Sequence, residues 1–249
     1  MYIDAHTHLD FFKENIDKAI EDINKNKIFT LANSMDIESY NLNKEYAKRS
    51  KYIIPCFGVH PWKAGSFFFE LNDIIPYIEE SKIIGEIGLD YVWVEDESTF
   101  PKQREIFQFI LEESIKRGKL VCLHTKGAEE EIYNLLKKYN YNNAIIHWYS
   151  GDLVTLDKFI ELGCYFTISV DIGYSNFTEE VLKHIPLDKL LSETDGPTAL
   201  EWVNGKYGYP SEIKRVTDDI GKYLNNDNIK DIIRENWRKL IDRNLENNY

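Results

Sequence analysis

Short apolar runs alternate with longer amphipathic segments from one end of the chain to the other. Each run is rich in Ile, Val, Leu or Phe and does not alternate strictly between apolar and polar positions. This pattern is typical of strands that are buried on both faces of a parallel sheet. The predicted strands are residues 2–5, 28–32, 53–57, 83–87, 120–124, 144–147, 165–168 and 190–193.

The segments between these runs have helical periodicity. The clearest is 101–117, with Pro101 at its start and Gly118 just after its end, as helix boundary preferences predict. Others are 128–139, 153–162, 178–184 and a last helix from 229 toward 245. Eight strand–helix units predict a (β/α)8 TIM barrel, an α/β fold in which residues 1–249 form a single domain. A doubly wound open sheet remains the alternative, because periodicity does not separate the two.

Composition supports one globular domain. The chain has 249 residues, of which 43% are hydrophobic and 29% charged, and single α/β barrels commonly reach this length. No apolar run is long enough to span a bilayer, and no secretory signal is visible, so we expect a cytoplasmic protein without membrane contact. Cys56, Cys122 and Cys164 lie far apart within apolar runs, which predicts buried thiols.

The formal net charge of −12 argues against broad electrostatic adhesion to nucleic acid or to anionic membrane. It does not exclude a phosphate substrate, because bound divalent cations supply local positive charge. The charge therefore restricts how a nucleic acid binds and leaves open whether one does.

Side chains that can bind metal lie where the predicted strands end. His6 and His8 close the first strand, and their i, i+2 spacing places both imidazoles on the same side of an extended chain, where one cation can take both. Four further candidates hold the same position on other strands: Glu86, His124, His147 and Asp195. A parallel barrel assembles its active site at this face.

One histidine after an apolar run is more often a rim residue than a ligand, but the combination changes that expectation. Four of the six histidines fall at predicted strand ends, beside a glutamate and an aspartate in the same position. Imidazole and carboxylate ligands together suit Zn²⁺, Mn²⁺, Fe²⁺, Co²⁺ or Mg²⁺. The sequence therefore predicts a divalent-metal site at this face of the barrel.

Ordered motifs across nearly the whole chain resemble those of the TatD family of metal-dependent deoxyribonucleases. The motifs are Asp4-Ala-His6-Thr-His8-Leu, Gly58-Val-His60-Pro61, Gly85-Glu86-Ile-Gly-Leu-Asp90, Leu123-His124-Thr, His147-Trp-Tyr-Ser150-Gly151 and Glu193-Thr-Asp195-Gly-Pro197. The family belongs to the amidohydrolase-like TIM barrels, so the resemblance favours the barrel over the open sheet.

The resemblance implies two divalent metal ions that share one carboxylate. One ion would be held by His6, His8 and Asp195, and the other by His124 and His147, with Glu86 bridging them. Asp195 and Glu86 are the candidate catalytic residues, and Asp195 is expected both to bind metal and to accept a proton from the attacking water. Asp4 and Asp90 are candidates to orient imidazoles from behind, with a role in strand-end turns as the alternative.

Four residues are candidates for contact with substrate. The resemblance places His60 in the pocket, and Trp62 follows the same strand, where an aromatic ring can stack on a nucleobase. Lys126 and Lys206 are candidate phosphate contacts. Family members often carry arginine at the position of Lys126 and in the loop that contains Lys206. This chain has Lys126 at the first position and Tyr207 after Lys206 in the loop. Neither side chain offers the planar, bidentate phosphate recognition of arginine, so the metal site is expected to be better preserved than the phosphate contacts to DNA.

The leading hypothesis is a two-metal phosphodiesterase or deoxyribonuclease that acts on DNA ends or single-stranded DNA through a metal-activated water. The alternatives are a small-molecule amidohydrolase or phosphoesterase on the same barrel, and a non-catalytic metal-binding protein. The expected partner is DNA or a small phosphodiester, and the sequence indicates no obligate protein partner.

Overall fold

A computed structural model of the chain describes residues 1–245. Eight strands form one sheet, and each pairs in parallel with the next along the chain. In chain order they are β1 (Tyr2–Thr7), β2 (Ile28–Asn33), β3 (Ile53–Phe57), β4 (Ile83–Gly88), β5 (Val121–His124), β6 (Ala144–Ile146), β7 (Tyr165–Ile168) and β8 (Leu190–Ser192). All eight were predicted from the apolar runs, with ends that differ by at most two residues.

Helices separate the strands and cover the outside of the sheet. They are α1 (Ile16–Asn26), α2 (Ile37–Ala47), α3 (Ile75–Glu80), α4 (Phe100–Lys116), α5 (Glu129–Lys138), α6 (Leu153–Leu162), α7 (Asn176–His184), α8 (Thr198–Asn204), α9 (Ile213–Leu224) and α10 (Ile229–Leu245). Short 3-10 turns occupy Leu9–Asn15, Pro61–Ser66, Leu71–Ile74, Glu97–Thr99, Leu187–Lys189 and Pro210–Glu212.

The sheet curls until β8 lies beside β1. The Ser192 hydroxyl donates to the carbonyl of Ile3 at 2.8 Å, and the Asp195 amide donates to the carbonyl of His6 at 2.9 Å. These bonds join the two ends of the sheet into a barrel, so the predicted (β/α)8 architecture is confirmed and the open-sheet alternative is wrong. The second bond also ties together the backbones of two candidate metal ligands.

Burial of the strands on both faces explains why each is a continuous apolar run in the sequence. Every residue of β4, β5, β6, β7 and β8 is buried, because the barrel interior covers one face and the helices cover the other. Cys56, Cys122 and Cys164 are free and buried, as predicted. Within residues 1–245, no helix is long and apolar enough to cross a membrane.

A polar network behind β2 fixes the position of β4. The Ser34 amide donates to the carbonyl of Gly85 at 3.0 Å, and the Glu86 amide donates back to the carbonyl of Ser34 at 3.2 Å. The fully buried Asn43 of α2 anchors Ser34, because its Nδ2 lies 3.2 Å from the carbonyl of Asn33 and 3.1 Å from the hydroxyl of Ser34. Glu86 is therefore held in place from α2 through the end of β2.

We predict that Asn43→Ala lowers the free energy of unfolding by about 1–3 kcal/mol, since it leaves buried carbonyls without their donor. Urea denaturation measures the change. Asn41→Ala is the matched control, because Asn41 lies on the same helix but is exposed and should change stability by less than about 0.5 kcal/mol. Equal effects of the two substitutions would contradict the anchoring role of Asn43.

Candidate metal centre

The six residues predicted from the strand ends meet at the carboxyl-terminal face of the barrel. His6 and Glu86 lie within strands, and His124 is the last residue of β5. His8, His147 and Asp195 lie in the segments that follow β1, β6 and β8. All six are buried, and none is more than 8% exposed.

One group of these residues faces a single oxygen of Glu86. The Oε2 atom of Glu86 lies 3.2 Å from Nε2 of His6 and 3.1 Å from Nε2 of His8. The two imidazole nitrogens are 3.3 Å apart, and Oδ1 of Asp195 lies 3.7 and 3.6 Å from them. Four potential ligand atoms therefore surround one point.

A second group faces the other oxygen of the same carboxylate. The Oε1 atom of Glu86 lies 2.7 Å from Nδ1 of His124 and 2.9 Å from Nε2 of His147. These two nitrogens are 3.4 Å apart. Glu86 therefore stands between the two groups and presents one oxygen to each, as a bridging carboxylate does.

His60 approaches the second group but differs from its neighbours. Its Nε2 lies 3.3 Å from Oε1 of Glu86, while its Nδ1 accepts a hydrogen bond from the Trp62 amide at 3.1 Å. Because Nδ1 is an acceptor, a neutral ring carries its proton on Nε2, which is then a donor and has no free lone pair for a metal. Burial lowers the pKa of His60 to about 4, so the ring is neutral near pH 7.

The donor atoms fit divalent cations. Three overlapping trios bring their potential ligand atoms within 4.8 Å of one another: His6, His8 and Asp195; His6, Glu86 and His147; and His60, Glu86 and His124. Among the described residues, Oε2 of Glu86 is a buried oxygen without a hydrogen-bond partner, although it faces two imidazole nitrogens. A cation at that point would satisfy the oxygen and both nitrogens together.

The close packing of these ionisable groups shifts their pKa values. Burial alone would raise the pKa of Glu86, but the imidazoles of His60, His147 and His6 hold it well below its usual range. Burial opposes protonation of His8 and His147, yet neighbouring carboxylates outweigh it. They raise the pKa of His8 to about 9 and that of His147 to about 10 in the metal-free protein.

Two glycines make room for Glu86. A Cβ atom on Gly58 would lie 2.2 Å from the carbonyl oxygen of Glu86 and 2.5 Å from its nitrogen. A Cβ atom on Gly88, whose φ is +150°, would lie 1.9 Å from the carbonyl oxygen of His124. Both positions therefore need glycine, because a side chain would displace the backbone that carries Glu86 or His124.

Asp90 occupies the position proposed for it behind an imidazole. Its Oδ2 lies 2.8 Å from Nε2 of His124, the ring nitrogen that points away from Glu86. The same oxygen accepts from the Trp62 indole at 2.7 Å, and Oδ1 accepts from the Val92 and Trp93 amides. Asp90 can therefore fix the tautomer of His124 so that Nδ1 is free to bind metal.

The expectation for Asp4 needs correction. Its carboxyl group contacts the Thr194 amide at 2.8 Å and the Thr194 hydroxyl at 2.6 Å, and no side-chain contact with an imidazole is found in the described part of the chain. The reason is strand geometry, because Asp4 lies in β1 and points toward the seam with β8. Asp4 supports the backbone next to Asp195 and orients no ring.

Two buried contacts near the centre were missed by the sequence prediction. Oε1 of Glu193 lies 3.5 Å from Nδ1 of His147, and Sγ of Cys122 lies 3.2 Å from Nδ1 of His6. The sequence contained one usable signal for Glu193, its place at the end of the eighth strand. Cys122 had none, because nothing in an apolar run shows which neighbour a thiol meets.

A cleft with a volume of about 120 Å³ opens above the two groups. Three of the predicted substrate contacts, Trp62, Lys126 and His60, line it, and their contact with substrate stays a prediction. Lys126 donates to the carbonyl of Trp148 at 2.6 Å and to the hydroxyl of Ser150 at 3.0 Å, so it is held at the rim. The rim is aromatic, and its rings belong to Phe11, Trp62, Trp93, Trp148 and Trp202.

Lys206 does not reach the cleft. It is exposed and is absent from the described residues that line the cavity. The segment after β8 forms the helix α8, which the sequence prediction did not include, and Lys206 follows its far end. Trp202 of the same helix lines the rim, and contact between Lys206 and substrate stays a prediction.

We predict that metal binding at pH 7 releases about two protons, one each from His8 and His147, because metal binds only neutral imidazole. Titration calorimetry of metal-free protein in buffers of different ionisation enthalpy measures this number.

The raised pKa values of His8 and His147 also affect the stability of the metal-free protein. They contribute stability that is present below about pH 6.5 and is lost as the pH rises through about 9 to 10. The metal-free protein should therefore lose stability in that range. Metal binding without release of protons would contradict the protonation assigned to His8 and His147.

Comparison with known proteins finds a family whose model matches this chain. The model of the family described as TatD related DNase matches residues 3–242. An uncharacterized metal-dependent hydrolase of Methanocaldococcus jannaschii is 26% identical over 256 residues, which cover 98% of each chain. One from Buchnera aphidicola is 30% identical over 215 residues, which cover 78% of this chain and 80% of the relative.

Solved structures show the same fold. YjjV, a TatD homologue from Escherichia coli, superposes with a TM-score of 0.85 at 22% identity and covers 96% of this chain and 97% of its own. The phosphotriesterase homology protein of Escherichia coli, solved with phosphate in its active site, gives a TM-score of 0.66 at 16% identity, with coverage of 96% and 97%.

Proposed function

The chain belongs to the TatD-related family of metal-dependent hydrolases, and on that premise we propose that it is a two-metal phosphodiesterase that cleaves DNA. The observation that carries the proposal is the position of Glu86, whose two oxygens face separate groups of buried ligand atoms. We assign His6, His8 and Asp195 to one ion and His124 and His147 to the other, with Glu86 between them. The metals remain Zn²⁺, Mn²⁺, Mg²⁺, Fe²⁺ or Co²⁺, since these ligands suit each of them.

Such a centre matches the demands of phosphodiester hydrolysis. Two cations held by these residues would polarise the phosphoryl oxygen, lower the pKa of a bound water and stabilise the leaving alkoxide. Asp195 is the residue best placed to accept the proton of that water, because it borders the first group and lines the cleft. His60, neutral and protonated on Nε2, directs that N–H toward Oε1 of Glu86 and lines the cleft beside the second group, where we assign it a contact with substrate.

The rim indicates how DNA would be held. Lys126 already donates to two protein acceptors, and its remaining N–H can meet a substrate phosphate. Net charge is −12, so we assign little affinity to broad contact with a duplex backbone. Exposed indoles favour unpaired bases, which supports DNA ends or single-stranded DNA as the substrate.

A second candidate is hydrolysis of a small phosphoester or amide. The aromatic lining of the cleft and the position of Lys206 outside it favour this alternative, because both reduce the contribution of phosphate contacts beyond the reacting group. The phosphate bound in the phosphotriesterase homology protein is compatible with either substrate class.

The deciding experiment offers Mn²⁺-loaded protein a labelled single-stranded oligonucleotide and a bis-aryl phosphodiester. We expect cleavage of both, and a loss of at least about 100-fold in His124→Ala, which removes a ligand of the second ion. Cleavage of the small diester alone would support the second candidate. If the wild-type protein carries two ions and cleaves neither substrate, a phosphodiesterase function is excluded.

We predict that Trp202→Ala raises the KM for the oligonucleotide by roughly 5- to 150-fold, the equivalent of about 1–3 kcal/mol for one lost stacking contact. Steady-state kinetics on both substrates measure this. The bis-aryl diester should be cleaved as before, since Trp202 lies at the rim and is 64% exposed. Phe68→Ala is the control, because that ring is 89% exposed and does not line the cleft within the described residues. An unchanged KM would remove Trp202 from the substrate site.

A further inference from the structure

The two histidines of the second group use opposite ring nitrogens. His124 turns Nδ1 toward Glu86 and Nε2 toward Asp90. His147 turns Nε2 toward Glu86, so its Nδ1 points away from the centre. Each ring therefore needs a different tautomer to present a lone pair at the centre, and something must fix each one.

Glu193 lies where a partner for His147 is needed. Its Oε1 is 3.5 Å from Nδ1 of His147, and its carboxylate is fully buried. Within the described residues, neither oxygen of Glu193 nor Nδ1 of His147 has a partner in hydrogen-bond geometry. A buried carboxylate is costly without good hydrogen bonds, and a small rotation of either side chain would bring Glu193 and Nδ1 of His147 into one.

We propose that Glu193 is a positioning residue for His147, in the same relation to it as Asp90 has to His124. Glu193 accepts the proton on Nδ1, which fixes the ring orientation and leaves Nε2 free for the second ion. This role rests on the two-ion centre proposed above. The two metal sites would then differ in what lies behind their imidazoles, because Nδ1 of His6 meets the thiol of Cys122 instead of a carboxylate.

The consequence is a selective effect on metal binding. Loss of a carboxylate behind a ligating imidazole typically weakens metal affinity about 10- to 100-fold. Glu193→Gln keeps the shape and one acceptor oxygen but removes the charge. It should therefore weaken the binding of one ion by at least about 10-fold and leave the other unchanged.

Equilibrium dialysis of metal-free protein against Mn²⁺ tests this, with Glu113→Gln as control. Glu113 is also a buried carboxylate, but it pairs with Lys116 and Arg117 on α4, away from the centre. We expect the wild-type protein and Glu113→Gln to bind two ions with the same affinities. Glu193→Gln should bind one ion with wild-type affinity and the other with reduced affinity. Wild-type affinity for both ions in Glu193→Gln would overturn the proposal, as would lower thermal stability with unchanged affinity. If the wild-type protein binds fewer than two ions, the proposed function itself fails.

A measurement on the unaltered protein guards against a variant that does not fold. ¹⁵N-edited NMR of Zn²⁺-loaded protein reports which nitrogen of each histidine carries hydrogen. We expect His147 to carry it on Nδ1 and His124 on Nε2. Hydrogen on Nε2 of His147 would rule out the role assigned to Glu193.

Discussion

One buried carboxylate determines how the rest of the centre is arranged. Glu86 is 1% exposed and has imidazole nitrogens of five histidines within 3.3 Å of its two oxygens. A charge removed from water in this way is stable only if positive charge and hydrogen-bond donors surround it. In the metal-free protein the protonated imidazoles supply that charge. Cations bound at the same points would replace those protons.

The fold supplies the rigidity that this arrangement needs. Glu86 sits within β4, its backbone bonds to Ser34 at the end of β2, and Asn43 of α2 anchors Ser34. Gly58 and Gly88 let neighbouring backbone approach without a side chain between. Groups held by strands in this way keep their geometry better than groups on loops, which is a requirement for a centre whose ligand atoms must converge on two fixed points.

Much of this was predictable from the sequence, because parallel barrel strands and their carboxyl ends leave clear marks. Continuous apolar runs identified all eight strands, and polar residues at or just after the ends of five of these runs marked the six residues that meet at the candidate centre. The misses have a common cause in side-chain direction and loop structure. Asp4 points toward the seam between β1 and β8, and α8 places Lys206 outside the cleft. Glu193 and Cys122 contact imidazole rings that belong to other parts of the barrel. Strand ends locate a site, but the contacts behind it depend on packing that no local pattern encodes.

The central claim is that Glu86 joins two metal positions. Anomalous X-ray diffraction from crystals soaked in Mn²⁺ tests it most directly, because it locates ions without reference to activity. The account predicts two peaks about 3.5–4 Å apart, one beside each oxygen of Glu86, with His6, His8 and Asp195 at one and His124 and His147 at the other. A single peak, or two peaks that do not both contact Glu86, would contradict it.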